Sequence, residues 1–477
     1  MTGFDNTVRM AGAIVLAALF NGAPLRSQSV VTSTGKDRRN LEVTVYNSNL
    51  ALVRDVRRLR LPVGTTELRF EGLAAQVNPA TVHMVSLSDP SAFRVLQQGY
   101  RYDLLTPETL LKKYVGKQVT LVRRMTVNGS TKDVRVQATL LADNSGPVWQ
   151  VGTQIVTGLT ADHYIFPRIP GNLYARPTLL CLVSSHDASP QTVETTYLTS
   201  GMNWKADYIF AIATNGATGA LNGWADISND SGATFTAARL QLVAGEVHRA
   251  VMRTPMPQFA MAKVAPQFEQ QPFSEYHLYT LQRRATLINH SSLQIGLLDS
   301  ANVRFVKTFE LNGQSYYYRA PLQPGAPMNE PVEMHIRFKN SRANSLGIPM
   351  PAGTIRVYEN DSQGRPEFLG EDQIRHTPKD EMLDLDVGNA FDVVATRRQT
   401  AYQSLGPTSS EVAFEITIRN HKPQPLTVEV NEPIGGEWTM LESNFKYQKT
   451  SAFSVRFEVP VAANAQSILT YRVRVHW

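Results

Sequence analysis

The chain has 477 residues, a formal net charge of +6, 42% hydrophobic and 18% charged residues. That length supplies two to four domains at roughly 100–200 residues each, and so low a charged fraction excludes a mainly disordered protein. Its 30 glycines and 27 prolines exclude collagen-like and low-complexity chains, and the small positive excess gives no nucleic-acid-binding signature.

The first element is the run Met10–Phe20 (MAGAIVLAALF) after Arg9. It is too short to span a membrane as a helix, but its length suits the apolar core of a signal peptide. Residues 1–28 therefore read as a signal peptide, with the mature chain starting between Ala23 and Gln28. The expected destination is the periplasm, the cell envelope or the exterior. No later run is long enough for an integral membrane span in the mature chain.

Residues 40–190 read as an N-terminal β-rich domain. Leu41–Tyr46 alternates apolar and polar residues, Asn47-Ser48-Asn49 turns the chain, and similar short runs recur at Thr66–Phe70, Thr81–Leu87, Gln118–Val122 and Val134–Leu140. Few helices are expected, and the clearest begins at Thr106. Thr106 is its cap, Pro107 and Glu108 fill its first turn, Leu110, Leu111 and Tyr114 share a face, and Gly116 ends it. Cys181 lies in the apolar run Leu179–Val183 and reads as a small core residue rather than a nucleophile. As the chain's single cysteine it has no intramolecular disulfide partner.

Residues 191–477 read as a second β-sandwich region, interrupted at 254–273 by a linker holding Pro255, Pro257, Pro266 and Pro272. Before the linker, Ser200-Gly201 reads as a hairpin turn. Tyr197, Trp204 and Tyr208 flank it and are expected in the core, the other reading being a carbohydrate or peptide groove. After it, Glu411–Arg419, Thr427–Val430, Phe453–Val459 and Ser467–Trp477 are predicted strands of an immunoglobulin-like sandwich. Phe414, Ile416 and Ile418 would face Tyr471, Val473 and Val475 across it. The fold class is thus mainly β: a multi-module β-sandwich protein with an immunoglobulin-like C-terminal module and few short helices.

The stretch Thr196–Tyr208 (TYLTSGMNWKADY), with Gly223–Asn229 (GWADISN), Leu240–Gly245 (LQLVAG) and the later Arg419-Asn420-His421-Lys422, Trp438 and Tyr471, resembles the bacterial domain-of-unknown-function 4139 family. That domain closes mucoidy-inhibitor-like exported proteins, and the resemblance runs from about Gln191 to Trp477. Thr44–Asn47, Ala51–Asp55 and Tyr114–Lys117 resemble the N-terminal part that accompanies it in some members. The coiled coil that usually precedes the domain is missing. The family has no established catalytic residues, so the resemblance carries none over.

Chemistry-bearing motifs are sparse. There is no His-Glu-x-x-His, no Gly-x-Ser-x-Gly and no phosphate loop, since Gln118 follows Gly116-Lys117. The ten histidines are dispersed, and His163, beside Asp162 and Tyr164, is the most suggestive. Glu371, Asp372, Asp380, Glu381, Asp384 and Asp386 form the one acidic concentration. Asp384 and Asp386 share a strand face where calcium ligation is geometrically conceivable, though a solvated face is the preferred reading. The doublets Arg57-Arg58, Arg123-Arg124, Arg283-Arg284 and Arg397-Arg398 read as strand charges that discourage edge pairing.

No catalytic, cofactor-binding or metal-ligating residue is assigned. The expected function is that of an exported, non-catalytic cell-envelope or secreted protein, with an unknown protein or cell-envelope polymer as partner and no nucleic acid. The alternative is a polysaccharide-acting hydrolase on an all-β scaffold. An outer-membrane barrel, suggested by the terminal Trp477, would need regular strands with an apolar outer face.

Overall fold

Alternation of Val, Ile, Leu and aromatic residues with polar ones gives strands almost throughout, and the protein is mainly β. The computed structural model describes residues 29–101, 104–127, 130–170, 173–245, 268–273, 276–322 and 325–477. The expected signal segment and residues 254–267 of the expected linker lie outside them. Among the described residues, no helix is long and apolar enough to cross a membrane.

Three sheets enclose the larger core. A four-stranded sheet orders Ser29–Ser33, Gly64–Glu71, Thr178–Ser185 and Phe93–Arg101. An eight-stranded sheet is centred on Arg38–Tyr46, Leu50–Arg60, Pro190–Thr199 and Phe235–Ala244. A five-stranded sheet orders Ser291–Arg304, Thr218–Asn229, Met202–Ile212, Gly353–Asn360 and Pro366–Ile374. Between them lie Val43, Phe70, Trp204, Tyr208, Phe210 and Ile355. Cys181 is buried in the same core, and burial pushes its thiol up to about 12, far from a thiolate nucleophile. The expected boundary at 190/191 falls at the head of Pro190–Thr199, which pairs along its whole length with Leu50–Arg60.

Between two strands of the four-stranded sheet the chain builds a separate small sheet from Gln118–Val127, Ser130–Asp143, Pro147–Val151, Gln154–Thr157 and His163–Ile165. The predicted helix is present at Pro107–Lys113, its Thr106 hydroxyl accepting from the Thr109 amide. Leu110, Leu111 and Tyr114 close the small core around Trp149, and Gly116 ends the turn at φ 80°.

The C-terminal strands lie where the alternation puts them, at Ser409–Asn420, Leu426–Pro433, Ser454–Val461 and Ala465–His476. They belong to one nine-stranded sheet that curls onto itself, so both layers of this sandwich are hydrogen-bonded into a continuous ladder. Phe457 and Tyr471, from opposite arms, stack with centroids 5.2 Å apart. Ile416 and Val473 are fully buried. The outward positions carry Glu411, Glu415, Arg398 and Arg474 in ion pairs rather than an apolar band, and Trp477 packs beside Arg319.

Two expectations are corrected. Ser200-Gly201 is not a hairpin: Pro190–Thr199 belongs to the eight-stranded sheet, whereas Met202–Ile212 pairs with Thr218–Asn229 and Gly353–Asn360. The chain turns a corner between packed sheets because Tyr197 and Trp204 both fill the space between them. Gly201 makes the corner at φ 80°, where a Cβ would lie 2.8 Å from the Asp230 backbone. Second, the end of the expected linker is structured: Phe268–Phe273 pairs with Tyr276–Leu281 at the edge of the eight-stranded sheet, a position that tolerates Pro272.

That pairing has a testable consequence. Phe235–Ala244 and Tyr276–Leu281 are neighbours, in register Gln241 to Thr280. A protease site inserted within residues 254–267 and then cleaved should leave two fragments that co-elute under native conditions. Separation on a sizing column would contradict the shared sheet.

Candidate functional site

In the five-stranded sheet, period-two alternation sends Trp204, Tyr208, Phe210, Ile355 and Val357 into the core. The same alternation leaves Trp224, Ile209, Tyr358 and Phe368 on the opposite face, with Trp224 42% and Phe368 55% exposed. Tyr358 and Phe368 are cross-strand neighbours whose rings meet edge to face at 5.6 Å. Asp207, between Trp224 and Thr354 in register, receives Arg356 Nη1 at 3.0 Å and Lys205 Nζ at 3.0 Å. Arg356 Nε also reaches Glu371 at 3.0 Å, and Asn222 donates to Asp299 at 2.9 Å. The face thus presents apolar rings beside hydrogen-bonding groups already held in place. This is the chemistry a sugar ring requires, with its C–H faces on aromatics and its hydroxyls on carboxylates, amides and guanidiniums. Tyr197, Trp204 and Tyr208 are core residues, as the preferred reading had them; Trp224 is the aromatic of the resembling stretches that reaches this surface.

A second constellation lies on the outer face of the nine-stranded sheet. Met328–Lys339 points Glu333, His335 and Arg337 outward, and Met382–Gly406 brings Asp386 opposite His335 and Asp384 opposite Arg337. Val306–Asn312 adds Glu310 from the other side. His335 Nδ1 donates to Asp384 Oδ1 at 2.8 Å. Arg337 donates to Asp384 Oδ2 at 2.6 Å, to both oxygens of Glu429 at 2.9 and 3.0 Å, and to Glu310. The Asp384 hydrogen bond lifts His335 to about 8 against the effect of burial. Burial would raise Asp384, but its bonds from His335 and Arg337 outweigh that and hold it low. The expectation that Asp384 and Asp386 share one face is met, since Leu383, Leu385 and Val387 point inward. What sequence reasoning missed is that His335 and Glu333 complete the group.

The remaining candidates scatter. His163 is exposed on a strand of the small sheet, and Asp162 accepts the Arg124 amide at 2.6 Å. Asp380 pairs with Lys379 at a turn. Asp372 accepts the Asp386 amide at 3.1 Å. In two of the arginine doublets one member points inward, Arg57 beside exposed Arg58 and Arg397 beside exposed Arg398, so the expected role in edge protection fails for these two, while Arg283-Arg284 lies in the connection after Tyr276–Leu281. Arg57 and Arg397 are fully buried. Arg57 reaches Asp55 at 2.8 Å and lies 3.5 Å over the Phe70 ring, and Arg397 lies 2.7 Å from Glu432. Each stands in the inward phase of its strand with a carboxylate partner, which burial of a guanidinium requires.

Two clefts open on the surface. One of ≈ 660 Å³ lies beside Arg38, Gly72, Leu104, Arg176 and Thr234; the other, of ≈ 590 Å³, lies beside Asn144, Pro147, Thr160 and Tyr164 in the small module. Among the described residues neither is lined by the carboxylate pair that glycoside hydrolysis uses.

No model of a known protein family matches the chain, and no curated protein matches it significantly.

Proposed function

We propose that this is an exported, non-catalytic protein of the cell envelope or the secreted fraction, and that it docks a cell-envelope polysaccharide. The observation that supports this reading is the open face of the five-stranded sheet, where Trp224, Tyr358 and Phe368 stand among Asp207, Arg356 and Asn222. Flat, rigid aromatic anchors immobilise little side-chain entropy on binding, and the pre-formed ion pairs orient polar groups before a polymer arrives. The apolar run Met10–Phe20, of signal-peptide length, supports the compartment.

Affinity electrophoresis through gels containing purified envelope polysaccharide of the native host tests it. Retardation is expected for the intact protein and about tenfold weaker binding for Trp224→Ala, the loss of one anchor of about 1.4 kcal/mol. Trp224 lies on the surface, so this variant keeps its core. Equal retardation of the two proteins would refute the assignment of this face.

A further inference from the structure

We propose that Glu333, His335 and Asp386 form a binding site for one divalent transition-metal ion of the zinc class, on the outer face of the nine-stranded sheet. Their candidate ligand atoms all lie within 4.8 Å of one another. Ligands about 2.1 Å from a common ion stand roughly 3.4 Å apart, so closure needs only side-chain adjustment.

The imidazole carries the argument. His335 Nδ1 is committed to Asp384 at 2.8 Å, which fixes the ring and leaves Nε2 on the side of Glu333. Nε2 is shielded from solvent and makes no hydrogen bond, and Glu333 Oε2 lies 3.7 Å from it. A carboxylate on one imidazole nitrogen with the other nitrogen free is the arrangement that supports a histidine ligand. The carboxylates are positioned as well. Asn312 Nδ2 donates to Glu333 Oε2 at 2.6 Å, the Gly388 amide donates to Asp386 Oδ1 at 2.8 Å, and Asp372 accepts the Asp386 amide.

The alternative trio Glu310, His335 and Asp384 also lies within ligand reach. It is already filled: Arg337 contacts both carboxylates, and Asp384 holds the Nδ1 it would have to release. A guanidinium there repels a second cation. On the Nε2 side Glu333 pairs with His335 itself, and among the described residues Arg337 pairs with Glu310, Asp384 and Glu429 rather than with Glu333 or Asp386. One imidazole nitrogen and two carboxylates suit zinc-class ions, whereas calcium takes six to eight oxygens. Three protein ligands leave a position for water or for a donor group of a partner. The site stands on a different sheet from the polymer-docking face, so either proposal can fail without the other.

Calorimetric titration of the full chain, after chelator treatment, with zinc chloride and separately with calcium chloride is the test. One zinc equivalent is expected that calcium does not displace. Asp386→Asn, an exposed position, should weaken it by at least about tenfold, and His335→Gln should abolish it. Asp384→Asn, which leaves all three ligands but removes the orienting carboxylate, should weaken it by about 10–100-fold. Cobalt substitution should give a visible spectrum of nitrogen and oxygen donors that is lost in Asp386→Asn, a readout independent of whether His335→Gln folds. Absence of a zinc equivalent, zinc affinity unchanged in Asp386→Asn, or equal uptake of calcium would overturn the assignment.

Discussion

Replacing Glu432 by Ala should destabilise the C-terminal module by about 3–5 kcal/mol, because it removes the fully buried one of the two carboxylates that neutralise a buried guanidinium. Glu432 and Arg397 are both fully buried, 2.7 Å apart, with Glu330 hydrogen-bonding Arg397 Nε at 2.8 Å. Tyr318 donates to Glu432 at 2.6 Å and lies 2.9 Å from the Tyr471 hydroxyl. Burial, then the charge of Glu432, raises both tyrosines well above their ordinary range, so they remain neutral donors. Gly313 belongs to the same arrangement, since a Cβ there would meet Glu432 at 2.3 Å. Urea unfolding should show a lowered midpoint for Glu432→Ala. The double variant Arg397→Met, Glu432→Leu should recover part of the loss, since both fully buried charges go together and Glu330, which loses Arg397, keeps the Tyr317 hydroxyl at 2.8 Å. A Glu432→Ala midpoint equal to that of the parent would contradict this account of the core.

Asp55→Asn should have an effect of similar size, about 3–5 kcal/mol, on the larger core. Asp55 receives Arg38 Nη2 at 2.7 Å and Arg57 Nη2 at 2.8 Å, and Arg57 also donates to the Ser33 carbonyl at 3.0 Å and the Glu71 carbonyl at 2.8 Å. These bonds join the eight-stranded sheet to strands of the four-stranded one. Burial acts to raise Asp55, but the hydrogen bonds and charges of Arg38 and Arg57 win and hold it below the usual carboxylate range. A carboxylate depressed in the folded state contributes stability above its unfolded value of about 3.9, and that contribution fades as pH falls through the folded value. The gap in unfolding free energy between the parent and Asp55→Asn should therefore be constant near neutrality and narrow below about pH 4. A gap that widens on acidification would show that Asp55 is not the ionised partner.

Much of the fold is legible because strands write their burial into every second residue. Phe414, Ile416 and Ile418, and Tyr471, Val473 and Val475, identify their inward faces without any tertiary information. The helix at Pro107–Lys113 is equally local, with its cap, first-turn proline and apolar face within a dozen residues. The corner at Gly201 is not local, for a tight turn between two strands reads as a hairpin until each strand's other neighbours are known. Arg57 and Arg397 did carry a signal. Asp55 and Arg57 stand in phase with Val53 and Leu59, Arg397 with Val393 and Ala395, and Glu432 with Val428 and Val430. A charge in the inward phase of an apolar strand implies a buried partner. Trp224 carried the converse signal, since Leu221, Ala225 and Ile227 occupy the inward phase around it. Of the His335 group only Asp384 and Asp386 were legible in the sequence, because Glu310, Glu333 and His335 stand on two other strands that sheet pairing alone brings beside theirs.

The claim that the open face of the five-stranded sheet docks a polysaccharide is tested most directly by hydroxyl-radical footprinting of the full chain, with and without purified envelope polysaccharide. The account predicts that saturating polymer protects the side chains of Trp224, Tyr358 and Phe368 while Trp438 and Tyr447 on the nine-stranded sheet oxidise as before. Undiminished oxidation of Trp224, Tyr358 and Phe368 at saturating polymer would contradict it.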